Sequence, residues 1–418
     1  MHVGLVDGNN FYVSVERAFD PKLIGRPVCV LSNNDGCAIA RSNEAKALGI
    51  KMGQPIHEVP ADIRRQMIVR SANFGLYGDI SGRIVAILRD LFPRVEEYSI
   101  DESFCSFDGI SDRAGAAIEA RSRILKWTGI PCCVGIGPTK TLAKAANKIA
   151  KKVPLGVIDL SEPTARADHL ATYPIEDLWG VGRKWAAKLG ADGIVSAQDL
   201  INTDADTLRS RYGVMLARTQ RELQGSVCTE LQETEPDRQQ IVVSRSFGRE
   251  VESLDDVSQA VATFAIRATE KLRARALQAG GVWVWLNTNP FKEGAVQYHP
   301  SKAVSFVIPT TDTRQVLAAA QGLLRSMYRK GYRYKKGGIG LLDLSPTTVC
   351  QGDLFAGVSA DPRSLKLMEV LDRANGKFGR GTLGFGSSGW RKAPQWQMRQ
   401  QHLSPAYTSR WDQLLKVR

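Results

Sequence analysis

The chain has 418 residues, long for one core and the length of several domains. Hydrophobic residues make up 43% and aromatics 7%, and 56 Lys and Arg against 43 Asp and Glu leave a net charge of +13, an excess that points to a polyanion, most often nucleic acid. Seven cysteines without a CxxC pair and five scattered histidines argue against a disulfide framework or a zinc site and fit a reducing cytosol; no basic segment leads into an apolar run, and none approaches ~20 apolar residues, so neither a signal peptide nor a membrane span is expected.

Residues 2–7 read as a buried strand ending at Asp7. Gly8-Asn9-Asn10 is a turn before a helix starting at Phe11, and amides at such a turn can meet phosphate oxygens. Tyr12 follows directly; taken alone it reads as a core aromatic. Arg26–Leu31 is a second strand, and Ser32–Gly36 is a loop. A helix over 43–48 carries Lys46, with Lys51 beyond it; either lysine could face a triphosphate or simply water. Met67–Ser71 reads as a strand, and Phe74–Leu91 has helical spacing that stops before Pro93.

The stretch Tyr98-Ser99-Ile100-Asp101-Glu102-Ser103-Phe104 sets two adjacent acids in a strand-like run. A buried carboxylate must be paired, hydrogen-bonded or bound to a metal. A strand sends successive side chains to opposite faces, so both acids can serve one site only near a bend or strand end. With Asp7 they make three carboxylates at two strand ends, a donor set suited to two Mg²⁺ ions shared with substrate phosphates.

Residues 112–127 are expected as helix and Pro131–Ile136 as strand, with Thr139 capping the next helix. Lys140, Lys144, Lys148 and Lys151 share one face of that helix. A solvated face is the plain reading, and contact with a triphosphate or DNA backbone the sharper one. Gly137-Pro138-Thr139-Lys140-Thr141 lacks the upstream glycine of a Walker A loop. Residues 1–160 thus predict a small mixed sheet with helices on one face. Pro163–Arg166 reads as a linker. Pro174–Lys184 has the apolar-Gly-apolar-Gly turn of a helix-hairpin-helix, in which Gly180 and Gly182 let backbone amides approach a phosphate, with Lys184 and Lys188 following. Helices are expected to about Leu223, then a polar linker over 225–240.

A second α+β module follows: a strand over 244–249, a helix over 263–277, strands over 282–286 and 304–308, a helix over 318–328 and a strand over 338–344. Its basic stretch, with Arg325, Arg329, Lys330, Arg333, Lys335 and Lys336 among tyrosines, has the composition expected at a phosphate backbone. The loop from 346 to about 365 contains Gln351-Gly352-Asp353-Leu354-Phe355, a candidate peptide anchor for a partner's pocket. The tail from Gly376, with Trp390 and Trp396, is expected to order on a partner or against the body.

Asp7 with Tyr12, then Tyr98 to Glu102, the lysine helix and Leu178-Trp179-Gly180-Val181-Gly182 together resemble the Y-family DNA polymerases that copy damaged templates. Leu31 to Cys37, Glu44 to Gly49 and Ser244 to Gly248 resemble the UmuC branch in particular. The resemblance runs nearly end to end. It implies an α+β multidomain right-hand polymerase: palm and fingers over 1–165 (fingers about 20–72), a helix-hairpin-helix thumb over 166–235, a little finger over 240–345 and a C-terminal extension over 346–418. It implies Asp7, Asp101 and Glu102 as the catalytic, metal-binding acids for two Mg²⁺ ions and Tyr12 as the steric gate against a ribose 2′-hydroxyl. Gly8, Asn9, Asn10, Phe11, Lys46 and Lys151 would bind the nucleotide. Gly180, Gly182, Lys184, Arg245, Arg329, Lys330, Arg333 and Lys335 would bind DNA. Gln351, Leu354 and Phe355 would bind a β sliding clamp, although Gly352 departs from the usual Leu. Many family members hold the triphosphate with Tyr and Arg where this chain has Asn43 and Lys46, and lysine lacks a bidentate fork. Primer-template DNA and dNTPs are the implied substrates. A processed UmuD-type dimer and a RecA filament are implied partners, in a bacterial cytoplasm and at the nucleoid when active. A palm-type nucleotide cyclase and a non-catalytic DNA-binding scaffold are the competing readings.

Overall fold

The computed structural model describes residues 2–233, 238–348, 362–379, 381–389, 394 and 396–415. They divide into two compact units, one spanning 1–32, 36–235 and 402–418, the other 33–35 and 236–401.

The first unit begins with β1 (Val3–Gly8) and α1 (Phe11–Phe19), followed by β2 (Val28–Leu31), β3 (Ala38–Arg41), α2 (Asn43–Ala47), α3 (Ala61–Gln66) and β4 (Ile68–Ser71). Then come α4 (Phe74–Leu91), β5 (Val95–Glu97), β6 (Glu102–Ser106), α5 (Arg113–Thr128), β7 (Cys132–Gly137), α6 (Lys140–Ala150) and β8 (Val157–Asp159). The main sheet has the order β5-β6-β1-β7-β8, and only the β7–β8 pair is parallel. β3-β2-β4 form a separate three-stranded sheet with its own small core around Cys29, Leu31, Ala45 and Ile50.

Helices cover both faces of the main sheet, not one as the sequence predicts. Strand alternation explains it. Val6, Val134 and Ile136 point into a core with Leu76 and Ile80 of α4 and Ala117, Ala120 and Ile124 of α5. Val3 and Leu5 point the other way, towards Phe104 and Ala143 of α6. On that face α6 lies directly on β7. A Cβ on Gly135 would sit 2.0 Å from the backbone nitrogen of Asn147, so only glycine admits the helix there. Asn147 Nδ2 secures the contact, donating to Leu5 O at 3.2 Å and Cys133 O at 2.9 Å.

The helical part of this unit comprises α7 (Pro163–Ala171), α8 (Arg183–Ala191), α9 (Ala197–Asn202), α10 (Ala205–Tyr212) and α11 (Val214–Leu223). Pro163–Arg166 is therefore the start of a helix, not a linker. Pro stands in its first turn, where the missing N–H costs nothing. Leu142, Ala145 and Ala146 of α6 share a core with Leu170, Leu178, Leu189, Leu200 and Leu223. Thr139 caps α6 by accepting from Leu142 N and also donates to Glu222 O at 2.9 Å.

The second unit contains β9 (Ile241–Val251), α12 (Leu254–Arg273), β10 (Leu277–Thr288), β11 (Ser301–Thr310), α13 (Thr313–Met327), β12 (Tyr334–Pro346) and α14 (Pro362–Phe378). Its sheet, β11-β10-β12-β9, is wholly antiparallel. The predicted helix over 263–277 begins nine residues earlier, where Ser253 accepts from Asp256 N as an N-cap, and ends before 277, which already belongs to β10. α14 falls where the sequence offers only loop and tail.

Candidate active site

β1 and β6 run antiparallel with Asp7 directly opposite Glu102. Asp101 stands in the bend just before β6, and its carbonyl accepts from Gly8 N at 2.9 Å. The adjacent acids thus lie at a strand end, as the alternation argument requires. Ser99 Oγ donates to Asp101 Oδ1 at 2.7 Å. Asp7 is 7% exposed, whereas Asp101 faces water. Burial raises the Asp7 carboxyl to about 6; the Lys151 ammonium pulls it down, and the charges of Glu102 and Asp101 push it further up.

All four lysines of the stripe, three on α6 and Lys151 at its C-cap, pair with acids. Lys140 is buried against Glu96 of β5 at 2.5 Å. Lys144 sits 3.1 Å from each Glu102 oxygen and lies over the rings of Tyr98 and Trp179, at 4.3 and 5.3 Å from their centroids. Lys148 pairs with Asp177, and Lys151 Nζ donates to Asp7 Oδ2 at 2.6 Å. Sequence periodicity places the lysines on one face, but their partners come from three strands and a turn that only the tertiary fold assembles.

The donor set, three carboxylates and nothing softer, fits a hard divalent cation, and the mutual repulsion recorded in Asp7 marks negative charge such an ion would offset. The expected ligand trio is nevertheless not preassembled. Among the described residues no three His, Cys, Asp or Glu side chains are grouped to hold a metal ion. Lys151 and Lys144 occupy two of the three acids.

The turn after β1 is built as the sequence predicts. Asn10 takes a left-handed conformation, φ 48°, before α1, and no side chain caps that helix. Asn9 Nδ2 reaches Cys133 Sγ at 3.3 Å, while Asn9 Oδ1 is buried without a partner. Gly8 is taken up in the sheet, and Phe11 is a core residue, so only backbone of Phe11 can serve a ligand. Lys46 Nζ donates to Asn10 Oδ1 at 2.6 Å, and Asn10 Nδ2 to Asn43 Oδ1 at 3.0 Å. Burial lowers the Lys46 ammonium, and the charges of Arg41 and Lys151 lower it further. Arg41 Nε is buried with no partner. Arg41 is a cation that the sequence reading did not single out, because in sequence it is one arginine ending a strand.

Tyr12 is half-buried on α1. Its ring stacks on Tyr77 at 4.6 Å and 15° and meets Phe74 edge-on at 5.9 Å. Burial and then the Asp101 charge raise its hydroxyl, which places Tyr12 within electrostatic reach of that acid.

In the helical part Gly180 has φ 87°, and Gly182 is the N-cap residue of α8, with exposed Lys184 in the first turn. In the second unit, Arg329 lies 4.8 Å over the Tyr298 ring and Lys330 is exposed at a turn. Arg333 is paired with Glu252 at 2.6 Å, and Lys335 Nζ donates to Phe247 O at 3.0 Å. Arg245 donates to Ser244 O at 2.8 Å. Gln351, Leu354 and Phe355 lie outside the described residues.

Family models match three segments: the impB/mucB/samB family over 6–148, its C-terminal domain over 238–354, and a domain of unknown function, DUF4113, over 365–417. Protein UmuC of Salmonella typhimurium is 44% identical, with 99% of each chain covered. The chain belongs to the impB/mucB/samB family, the UmuC type of Y-family polymerase. Protein MucB of Escherichia coli is 40% identical over 97% of each chain, and DNA polymerase IV of Moorella thermoacetica is 30% identical over 90% of this chain and 93% of the other. A Y-family DNA polymerase chimera shares the fold at a TM-score of 0.69 and 22% identity, covering 83% of this chain and all of that one. An insertion ternary complex of Dbh DNA polymerase does so at 0.55 and 21%, with the same coverage. The expected right-hand, α+β multidomain fold agrees with these structures. The cyclase and scaffold readings find no support among these matches.

Proposed function

We infer that this chain is a DNA-directed DNA polymerase of the error-prone translesion class, extending a primer 3′-hydroxyl with dNTPs opposite damaged bases. The observation that carries the reading is that Asp7 stands opposite Glu102 across β1 and β6, with Asp101 in the adjoining bend, in a chain of this family. The boundaries follow from the resemblance: palm and fingers over 1–165, thumb over 166–235, little finger over 240–345.

Asp7, Asp101 and Glu102 would hold two Mg²⁺ ions. When bound, these would lower the pKa of the primer hydroxyl and offset charge on the departing pyrophosphate. In the free protein Asp7 pairs with Lys151 and Glu102 with Lys144. Substrate entry would turn Lys151 from Asp7 to the triphosphate, where it joins Lys46 and Arg41; their mutual repulsion supports an anion as the missing partner. Tyr12, backed by Tyr77, would close on C2′ of the sugar and reject a 2′-hydroxyl. Arg329 and Lys330 would grip the duplex backbone.

The chain would act in the cytoplasm, at the nucleoid during synthesis. A β sliding clamp, a UmuD-type dimer and a RecA filament are its proposed partners, by analogy with the family. Among the described residues no helix is long and apolar enough to cross a membrane. The test is primer extension on a template with an abasic site, beside an undamaged template, with and without those partners. Insertion opposite the lesion is expected. Faithful copying that always halts one base before it would refute translesion synthesis.

A further inference from the structure

The C-terminal segment that matches the domain of unknown function returns to the first unit and docks beside the aromatic cluster that holds Tyr12. His402 N donates to Ser71 Oγ and His402 O accepts from Ser71 N, each at 3.0 Å, which adds a short parallel bridge at the end of β4. Tyr407 stacks on Phe19 at 5.0 Å and 6°. Between these anchors Ser404 is buried, and its Oγ donates to Glu16 Oε1 at 3.0 Å. The same Glu16 oxygen accepts from Tyr77 Oη at 2.7 Å. Glu16 is 1% exposed and Tyr77 fully buried; Arg70 stands 3.9 Å from the other Glu16 oxygen. Asn73 caps α4 with its Oδ1 and uses its Nδ2 to donate to Ser404 Oγ at 3.0 Å. α4 carries both Phe74 and Tyr77, two of the three rings against Tyr12, the third being Phe11.

We propose that Ser404, through Glu16 and Asn73, is a positioning residue for Tyr12: the C-terminal segment fixes the Tyr77 ring on which Tyr12 stacks and thereby sets how strictly the polymerase excludes ribonucleotides. This rests on Tyr12 being the sugar gate. A buried carboxylate holds its place only while its hydrogen bonds are made. Losing one of its two hydroxyl donors frees Glu16 and Tyr77 together, and a stacked ring follows its neighbour. The segment thus works as a brace behind the gate, remote from the reacting atoms.

The full-length chain is assayed for single-nucleotide insertion of a dNTP and the matching rNTP, under conditions in which the parent chain extends a primer, with Tyr12→Ala, Ser404→Ala and Ser404→Thr. Tyr12→Ala is expected to raise rNTP use strongly. Ser404→Ala is expected to raise the rNTP-to-dNTP ratio of kcat/KM about five-fold, with dNTP insertion within about two-fold of the parent, and Ser404→Thr to restore the parent ratio. In the double variant Ser404→Ala is expected to add nothing to Tyr12→Ala. A merely structural segment would lower both nucleotides alike. Ser404→Ala with an unchanged ratio, or equal losses on both nucleotides, overturns the brace while the gate stands. An unchanged ratio in Tyr12→Ala removes the gate itself.

Discussion

Burial leaves Asp7 with a carboxyl raised to about 6, and the sign of that shift has a measurable consequence. A carboxyl raised on folding stabilises the fold while protonated; the contribution is complete below the unfolded value near 3.8 and is lost as pH rises through about 6. Asp7→Asn therefore stabilises the chain at pH 7.5, by on the order of 1–3 kcal/mol, and barely at pH 4, while synthesis disappears. Thermal unfolding in a chelating buffer at the two pH values checks it, and a lower melting temperature than the parent at pH 7.5 contradicts it. Asp7, Asp101 and Glu102 were legible in the sequence because acids in apolar strands demand a reason. The partners of these acids were not. Lys144 and Lys151 stand more than forty residues from Glu102 and Asp7, and nothing local in Tyr77 or Asn73 distinguishes them from other core residues.

At the scale of elements, α6 is the seam of the first unit, resting on β1 and β7 through Gly135 and Asn147 and on the helical part through Leu142 and Ala146. Gly135→Ala forces a methyl into the backbone of that helix and is expected to cost about 3 kcal/mol, read as a lower urea midpoint at unchanged slope. A midpoint equal to the parent's would show that α6 can withdraw from the sheet. Periodicity revealed α6 and its lysine face, and α4 emerged over its full observed span because its apolar spacing and Pro93 agree. Periodicity did not reveal which sheet face each helix covers, since that depends on strand register. It also missed the start of α7, where proline in a first turn looks like a break, and α14, whose mixed polar sequence has little apolar signal.

For the whole molecule, charge and family order carried most of the reading. The net charge of +13 and the tyrosine-laced basic stretch pointed to DNA before any fold was known. The structure then separates that stretch into bound and free cations. Arg333 is committed to Glu252, while Lys330 stands exposed. Replacing Arg329 and Lys330 by alanine is expected to weaken duplex binding equally across sequences and to reduce the salt slope of the affinity by about two, as two lost phosphate contacts would. Arg333→Ala, already neutralised by Glu252, is expected to change the slope by less. Fluorescence anisotropy across a salt series distinguishes the two cases. The sequence leaves open whether the tail orders on a partner or against the body, because the anchors of residues 402–415 are backbone and hydroxyl contacts that no composition announces.

The most direct measurement is primer extension by the purified chain with Mg²⁺, dNTPs and the proposed partners, beside Asp101→Asn. Asp101 faces water, so the substitution leaves the fold intact. The account predicts template-directed addition by the parent, a loss of roughly 10³-fold or more in the variant, and duplex binding unchanged in both. A variant that extends the primer as fast as its parent would contradict the assignment of the catalytic site.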